Sequence, residues 1–94
     1  MAAEHQFHLS FPEWEREVFD SAKLFTVITV RGRGGRERLE FDNPRDAIAA
    51  ARGKPRTVVY AVSPRGRSVV LDQACWPLWV ARWRAAHEPL QRRG

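Results

Sequence analysis

The chain has 94 residues, a formal net charge of +5 and a sequence pI near 10.6, which corresponds to one small basic domain, 1–94. Its single cysteine, Cys75, excludes an internal disulfide and favours a reducing, cytoplasmic compartment. No apolar run reaches the roughly 20 residues of a membrane-spanning helix, and residues 1–10 lack the basic and apolar regions of a secretory signal, so we expect neither a membrane partner nor export.

The first predicted element is a helix that follows a loose arm at 1–9 and ends near Lys23. Ser10, Pro12 and Glu13 match a capping box with a proline in the first turn. Apolar residues at helical spacing predict a buried stripe of Phe11, Trp14, Val18 and Ala22, with Phe19 beside it.

A β-hairpin is predicted next, from two strands at 24–31 and 36–42 around the turn Arg33-Gly34-Gly35. Side chains alternate across a sheet, so the two strands present two different sets of residues. One face carries Phe25, Val27, Leu39 and Phe41, and the other carries Ile28, Val30, Arg36, Arg38 and Glu40.

The middle helix has clear signals at both ends. Asn43 is a good N-cap, Pro44 suits the first helical position, and Asp46 favours the positive end of the helix dipole. Gly53 is predicted to end the helix in a left-handed conformation, and Pro55 prevents its continuation. Ala47, Ile48 and Ala51 are predicted to face the sheet.

The second predicted hairpin, at 57–71, has two β-branched runs around Ser63-Pro64-Arg65-Gly66. Pro64 presets a turn and Gly66 supplies a positive φ, so that Ser63 faces Arg67. The pairing then continues as Val62–Ser68, Ala61–Val69, Tyr60–Val70 and Val59–Leu71. This register places Val59, Ala61, Val69 and Leu71 on one face and Val58, Tyr60, Val62 and Val70 on the other.

The last helix is predicted after 72–75, with Pro77 near its start, Pro89 at its end and a loose tail at 90–94. Its apolar face is formed by Trp76, Trp79, Val80 and Trp83.

The chain contains an internal repeat. A shift of 32 residues places Val27 on Val59 and Gly34 on Gly66, and each half reads strand, turn, strand, helix. We therefore predict a two-layer α+β fold of order αββαββα, in which an N-terminal helix precedes a duplicated ββα unit. The short link after the middle helix predicts a four-stranded mixed sheet, with the second and third strands parallel neighbours and the helices on one face. It also predicts that the two hairpin tips lie at opposite ends of the sheet.

The second face of this sheet is the predicted interaction surface, because an apolar face with no cover marks an interface. It consists of Ile28, Val30, Arg36, Arg38, Val58, Tyr60, Val62 and Val70. The N-terminal helix could cover about half of it, since a helix is about 10 Å wide and strands lie about 4.8 Å apart. The alternative is a homodimer through this face.

Motifs for chemistry are weak in this sequence. Cys75 and His87 are about 17 Å apart along one helix, too far for a nucleophile and its base. His5 and His8 lack further metal ligands at a matching spacing, and the glycine-rich run at 32–35 leads into a strand rather than a helix N-terminus. The sequence predicts no catalytic residue, cofactor or metal.

The sequence therefore favours a small, non-enzymatic, bacterial-type cytoplasmic module that binds another protein or a second copy of itself. The alternative is a basic nucleic-acid-binding protein that contacts phosphates through Arg31, Arg33, Arg65 and Arg67 at the hairpin tips. Arginine supplies 14 of the 16 basic residues, which is also typical of GC-rich coding sequence and needs no binding role.

Overall fold

A computed structural model of the protein describes residues 11–87 and has the α+β class that the sequence predicts. Two short 3-10 segments, Gly32–Gly34 and Gln73–Cys75, are additions that the sequence did not predict. The helices and strands are α1 (Glu13–Ser21), β1 (Leu24–Val30), β2 (Arg36–Phe41), α2 (Pro44–Ala51), β3 (Thr57–Val62), β4 (Ser68–Leu71) and α3 (Trp76–His87).

The four strands form a sheet of order β2-β1-β3-β4 in which every neighbouring pair is antiparallel. The predicted mixed sheet, with β2 beside β3, is therefore wrong. The strand β1 is apolar on both faces, so a central position with a neighbouring strand on each side stabilises it. The strand β2 carries charged residues, which suit a solvent-exposed edge of the sheet. The two strands β2 and β3 still run in the same direction, but on opposite sides of β1.

The two hairpin tips lie at opposite ends of the sheet, as predicted. The strand β3 begins opposite Thr29, next to the first tip at 31–35, because Thr57 pairs with Thr29. It ends opposite Leu24, where the second tip at 63–67 begins.

The second hairpin has the predicted register in full. Gly66 adopts a φ of +88°, and its N–H donates to the carbonyl of Ser63 at 2.9 Å. The N–H of Ser63 donates to the carbonyl of Arg67 at 2.8 Å, while the hydroxyl of Ser63 accepts from the N–H of Arg67 at 3.2 Å. Local turn chemistry therefore sets which residues of β3 and β4 are opposite one another.

The ends of α2 also match the prediction. The Asn43 side chain accepts a hydrogen bond from the Asp46 N–H at 2.8 Å, and Pro44 is the first helical residue. Gly53 adopts a φ of +80° just after the helix. The predicted sheet-facing residues Ala47, Ile48 and Ala51 are all buried.

The helix α1 differs from its prediction in its buried face. It begins at Glu13, and the predicted cap Ser10 and arm 1–9 lie outside the described residues. Val18 and Phe19 form its buried face, whereas Trp14 is 46% exposed. At about 100° per residue, Trp14 is about 90° from the midpoint of Val18 and Phe19, which places it beside the buried face rather than within it.

All three helices contribute to one core on a single face of the sheet. Trp79 is central to this core, because its ring stacks on Phe11 at 3.9 Å and contacts Phe19 at 4.5 Å between centroids. The indole N–H of Trp76 donates to the carbonyl of Leu71 at 2.7 Å. The core contains Phe11, Val18, Phe19, Phe25, Val27, Ala47, Ile48, Ala51, Val59, Ala61, Val69, Leu71, Trp76 and Trp79.

The two hairpins of the repeat are related by an approximate two-fold axis. The equivalent residues Val27 and Val59 pair directly with each other in the antiparallel β1–β3 ladder. The equivalent glycines Gly34 and Gly66 both have positive φ, at +82° and +88°. The strands β1 and β3 therefore form the centre of the sheet, and their partners β2 and β4 form its two edges.

Candidate interaction surface

The sheet face opposite the helices, here called the open face, carries all of the residues of the predicted interaction surface. The register places Ile28 between Arg38 and Val58, and Tyr60 beside Val70. The residues on this face are Leu24, Thr26, Ile28, Val30, Arg36, Arg38, Glu40, Val58, Tyr60, Val62, Ser68 and Val70. Their role as an interface stays a prediction.

The helix α1 does not cover the open face. It contacts β3 and β4 and packs Val18 and Phe19 into the core on the other side of the sheet. The ring of Phe19 meets the ring of Phe25, a core-face residue of β1, at 5.9 Å between centroids. Within residues 11–87, no helix lies on the open face.

Large apolar side chains are exposed on the open face. Val30 is 44% exposed, Val58 37% and Val70 50%, and the other large exposed hydrophobic residue of the described chain is Trp14. Exposed apolar residues that are contiguous, rather than scattered, mark interaction sites.

Charge divides the open face into two parts. Arg36, Arg38 and Glu40 lie along the edge strand β2, and Arg38 and Glu40 form an exposed ion pair at 3.3 Å. The β3 and β4 side of the face presents aliphatic side chains, Tyr60 and Ser68 instead. A partner would therefore meet an apolar area with a charged margin on one side.

A shallow depression of about 140 Å³ lies on the open face around Thr26. Thr26 is only 2% exposed, and its hydroxyl makes no hydrogen bond within residues 11–87. A buried polar group without a partner costs about 1–3 kcal/mol. The depression is lined by Thr26, Ile28, Arg38, Tyr60, Val62 and Ser68.

The first hairpin tip carries Arg31 and Arg33, and only Arg31 is in an ion pair that the structure resolves. Arg31 Nη2 binds Glu37 Oε1 at 2.8 Å. This hydrogen bond and the charge of Arg31, with a smaller contribution from Lys54, hold the pKa of Glu37 below its ordinary value. Arg33 is exposed at a φ of +67°.

The same end of the sheet contains a wider cleft of about 510 Å³. Lys54 and Arg56 line it together with Arg31 and Glu37. Sequence reasoning missed Lys54 and Arg56 because they follow α2, outside the hairpin tip. The β1–β3 pairing brings them there, since the N–H of Val30 donates to the carbonyl of Arg56 at 3.0 Å.

The second hairpin tip carries Arg65 and Arg67 at the other end of the sheet. The guanidinium carbon of Arg67 is 5.9 Å from the centre of the Trp14 ring, which is a cation–π distance. The four arginines proposed for an anionic partner thus form two separate pairs rather than one patch.

The structure does not bring the candidate catalytic residues together. Burial, followed by the charges of Asp72 and Glu15, raises the pKa of Cys75, which disfavours the reactive thiolate. His87 is at the far end of α3, where its ring stacks on Trp83 at 4.5 Å. His5 and His8 lie outside the described residues, and 11–87 contain no cluster of three potential metal ligands.

The glycine-rich run at 32–35 forms the turn between β1 and β2 and delivers the chain to a strand, as the sequence predicted. No described helix is long and apolar enough to cross a lipid bilayer. Comparison with known proteins gives no further indication, because no protein-family model, no curated protein and no solved structure matches this chain.

Proposed function

We propose that this chain is a non-enzymatic protein-binding module that associates with a second copy of itself through the open face. One observation supports this proposal above the others: Val30, Val58 and Val70 are exposed on a sheet face that none of the three helices covers. The single cysteine is consistent with a reducing, cytoplasmic location.

The size of the open face suggests the strength of the association. Four strands about 4.8 Å apart, with the longest strand of seven residues, span a plane of roughly 400 Å². A standard interface buries about 800 Å² of accessible surface on each partner. We therefore propose a transient dimer rather than an obligate one.

The charged margin suits a two-fold arrangement. In a face-to-face pair of sheets about 10 Å apart, a two-fold axis places the same patch on both sides of the interface. Arg38 and Glu40 are neighbours on each copy, so either one can meet its opposite charge on the other copy. Arginine suits this position because it binds carboxylates through two parallel hydrogen bonds.

Val58→Lys tests the proposed dimer, with Ala49→Lys as its matched control. Both positions are exposed and gain the same charge, but Val58 lies on the open face and Ala49 on the helical side. Sedimentation equilibrium should show a concentration-dependent dimer for the native chain and for Ala49→Lys. For Val58→Lys the dissociation constant should rise about tenfold or more, because the ammonium group is buried against aliphatic side chains.

Two results would overturn the proposal. One is a native chain that remains monomeric at concentrations well above the micromolar range. The other is an association that weakens equally in Val58→Lys and Ala49→Lys, which would place the contact elsewhere or make it a general effect of charge.

Nucleic-acid binding is the second candidate function, and the cleft at the first hairpin tip favours it. Arg31, Lys54 and Arg56 line this cleft together with Glu37, so three cations and one carboxylate converge within one site. Binding to about three phosphates predicts that log K falls with log salt with a slope of about −2 to −3. Fluorescence anisotropy with a labelled random duplex measures this slope, and a flat or absent response would exclude this function.

A further inference from the structure

The edge strand β4 differs from the other edge of the sheet in how it is protected. Edge strands expose unpaired backbone groups, and natural proteins guard them with charge, proline, covering elements or very short strands. The edge strand β2 carries Arg36, Glu37, Arg38 and Glu40. The edge strand β4, Ser68–Leu71, contains no charge and no proline.

The ladder identifies the outward backbone groups of β4. The N–H of Ser63 donates to the carbonyl of Arg67, so this pair is hydrogen-bonded. Bonded and non-bonded pairs alternate in an antiparallel ladder, which makes Ala61–Val69 the next bonded pair. The N–H and C=O groups of Ser68 and Val70 therefore point away from β3, and no other backbone group within residues 11–87 bonds to them.

A second copy of β4 can supply partners for these outward groups in an antiparallel arrangement. When two copies of this segment run antiparallel with Val69 opposite Val69, Ser68 of one copy is opposite Val70 of the other. The outward N–H and C=O groups of the two copies then pair with each other.

The position of α1 fits the same arrangement. The helix contacts both β3 and β4, so its axis lies near the boundary between them. Across a two-fold axis at the β4 edge, the two α1 helices would then be about 10 Å apart, which is a normal helix-packing distance.

Trp14 lies on the side of α1 that faces this edge. Asp20 lies on the side of α1 that faces α3, where it binds Arg82, and Trp14 lies about 120° around the helix from it. Trp14 is also within cation–π distance of Arg67, the residue that precedes β4. Its 46% exposure would therefore be lost between two α1 helices.

From these observations we infer that β4 pairs antiparallel with β4 of a second copy, with the two α1 helices packed beside each other. The pairs Ser68–Val70 and Val70–Ser68 between copies exchange about four hydrogen bonds. The two-fold axis is perpendicular to the sheet, so the open faces of both copies remain on one side and form a continuous surface. This edge is distinct from the face-to-face contact proposed above.

Ser68→Pro tests the edge pairing, with Arg38→Pro as its matched control. Each substitution removes an outward N–H from an edge strand without removing a ladder bond, because Ser68 and Arg38 both belong to non-bonded pairs of their hairpins. Both side chains also lie on the open face. Ser68→Pro should raise the dissociation constant of the edge contact about tenfold or more. Arg38→Pro also alters the charged margin of the open face, so its readout is the hydrogen-exchange protection of the Ser68 and Val70 amides, which should not change.

Hydrogen exchange of the native chain provides a readout that does not depend on how these variants fold. The amides of Ser68 and Val70 should become protected as protein concentration rises, while the outward amides of Arg36 and Arg38 should stay unprotected. Fast exchange of Ser68 and Val70 in the associated protein would overturn the inference.

The experiments distinguish failure of the edge contact from failure of the open-face contact. If only the edge contact exists, Val58→Lys remains a dimer and the Ser68 and Val70 amides are protected in it. If only the open-face contact exists, Val58→Lys associates about tenfold or more weakly than the native chain, and these amides exchange fast at every concentration.

Discussion

At the scale of single residues, the buried hydroxyl of Thr26 lowers the stability of the isolated chain, and the proposed function supplies a reason for it. Its hydroxyl is buried without a hydrogen bond within the described chain, on a face whose other central residues are apolar. A valine of nearly the same shape would remove that cost. The presence of threonine here is consistent with a hydroxyl that acquires a partner when the open face is occupied.

Thr26→Val is therefore expected to stabilise the isolated chain by about 1 kcal/mol, since it removes an unsatisfied polar group. Urea denaturation at a concentration where the chain is monomeric measures this change. Thr29→Val is the control, because the Thr29 hydroxyl bonds the Thr57 hydroxyl at 3.0 Å and its loss should destabilise the chain. Destabilisation by both substitutions would show that the Thr26 hydroxyl already has a partner in the monomer.

At the scale of elements, Arg31 and Glu37 stabilise the tip of the first hairpin together. Arg31→Gln should raise the pKa of Glu37 towards its ordinary value, because the hydrogen bond and the charge of Arg31 are the main causes of the lowered pKa. The native pair contributes stability above the pKa of Glu37 in the unfolded chain. That contribution is lost as the pH falls through the lower pKa of the folded chain.

Carboxyl-carbon NMR titration of Glu37 measures this shift. Arg33→Gln is the control, since Arg33 is at the same tip but is not a cause of the shift. A Glu37 pKa that does not change in Arg31→Gln would mean that the ion pair is not populated in solution.

Elements whose determinants are local could be predicted from the sequence, and those with distant partners could not. Turn residues Ser63 and Gly66 set the second hairpin, and Asn43 and Gly53 set the ends of α2. The choice of β1 rather than β2 as the neighbour of β3 depends on contacts between residues far apart in the chain. The charges of β2 were the available signal, because they favour an edge strand.

The candidate surface shows the same division. Alternation along each strand predicted which residues share the open face, since the period of two is local. Lys54 and Arg56 were missed because only the β1–β3 pairing brings them beside Arg31. The outward groups of β4 were also missed, because the exposure of a strand edge depends on the order of the strands.

At the scale of the whole molecule, the chain combines a symmetric sheet with an added helix. The approximate two-fold axis relates β1 and β2 to β3 and β4, but α1 has no equivalent within the described repeat. The helix covers the β3 and β4 side and leaves Trp14 exposed beside one edge only. The β2 edge is charged, whereas the β4 edge is uncharged and has the helix α1 beside it. A second copy is therefore proposed at β4 and not at β2.

The link between Asp20 and Arg82 joins the first described helix to the last across most of the chain. Arg82 Nε lies 2.8 Å from Asp20 Oδ1, and Arg82 Nη2 lies 2.6 Å from Asp20 Oδ2, so the pair is bidentate. The Arg82 side chain is 20% exposed and that of Asp20 48%, which reduces the benefit through solvent screening. A double-mutant cycle with Asp20→Asn and Arg82→Gln should give a coupling free energy of about 0.5–1 kcal/mol.

The same cycle tests whether α1 unfolds together with the sheet. If the chain is one cooperative unit, each variant should shift the denaturation midpoint without changing the slope, and circular dichroism and tryptophan fluorescence should report the same transition. The core contacts of Phe19 with Phe25 and Trp79 favour this outcome, because they join α1 to both β1 and α3. A separate early transition in either variant would show that α1 detaches first, and the β4 edge would then lose the helix that is proposed to pack beside its counterpart.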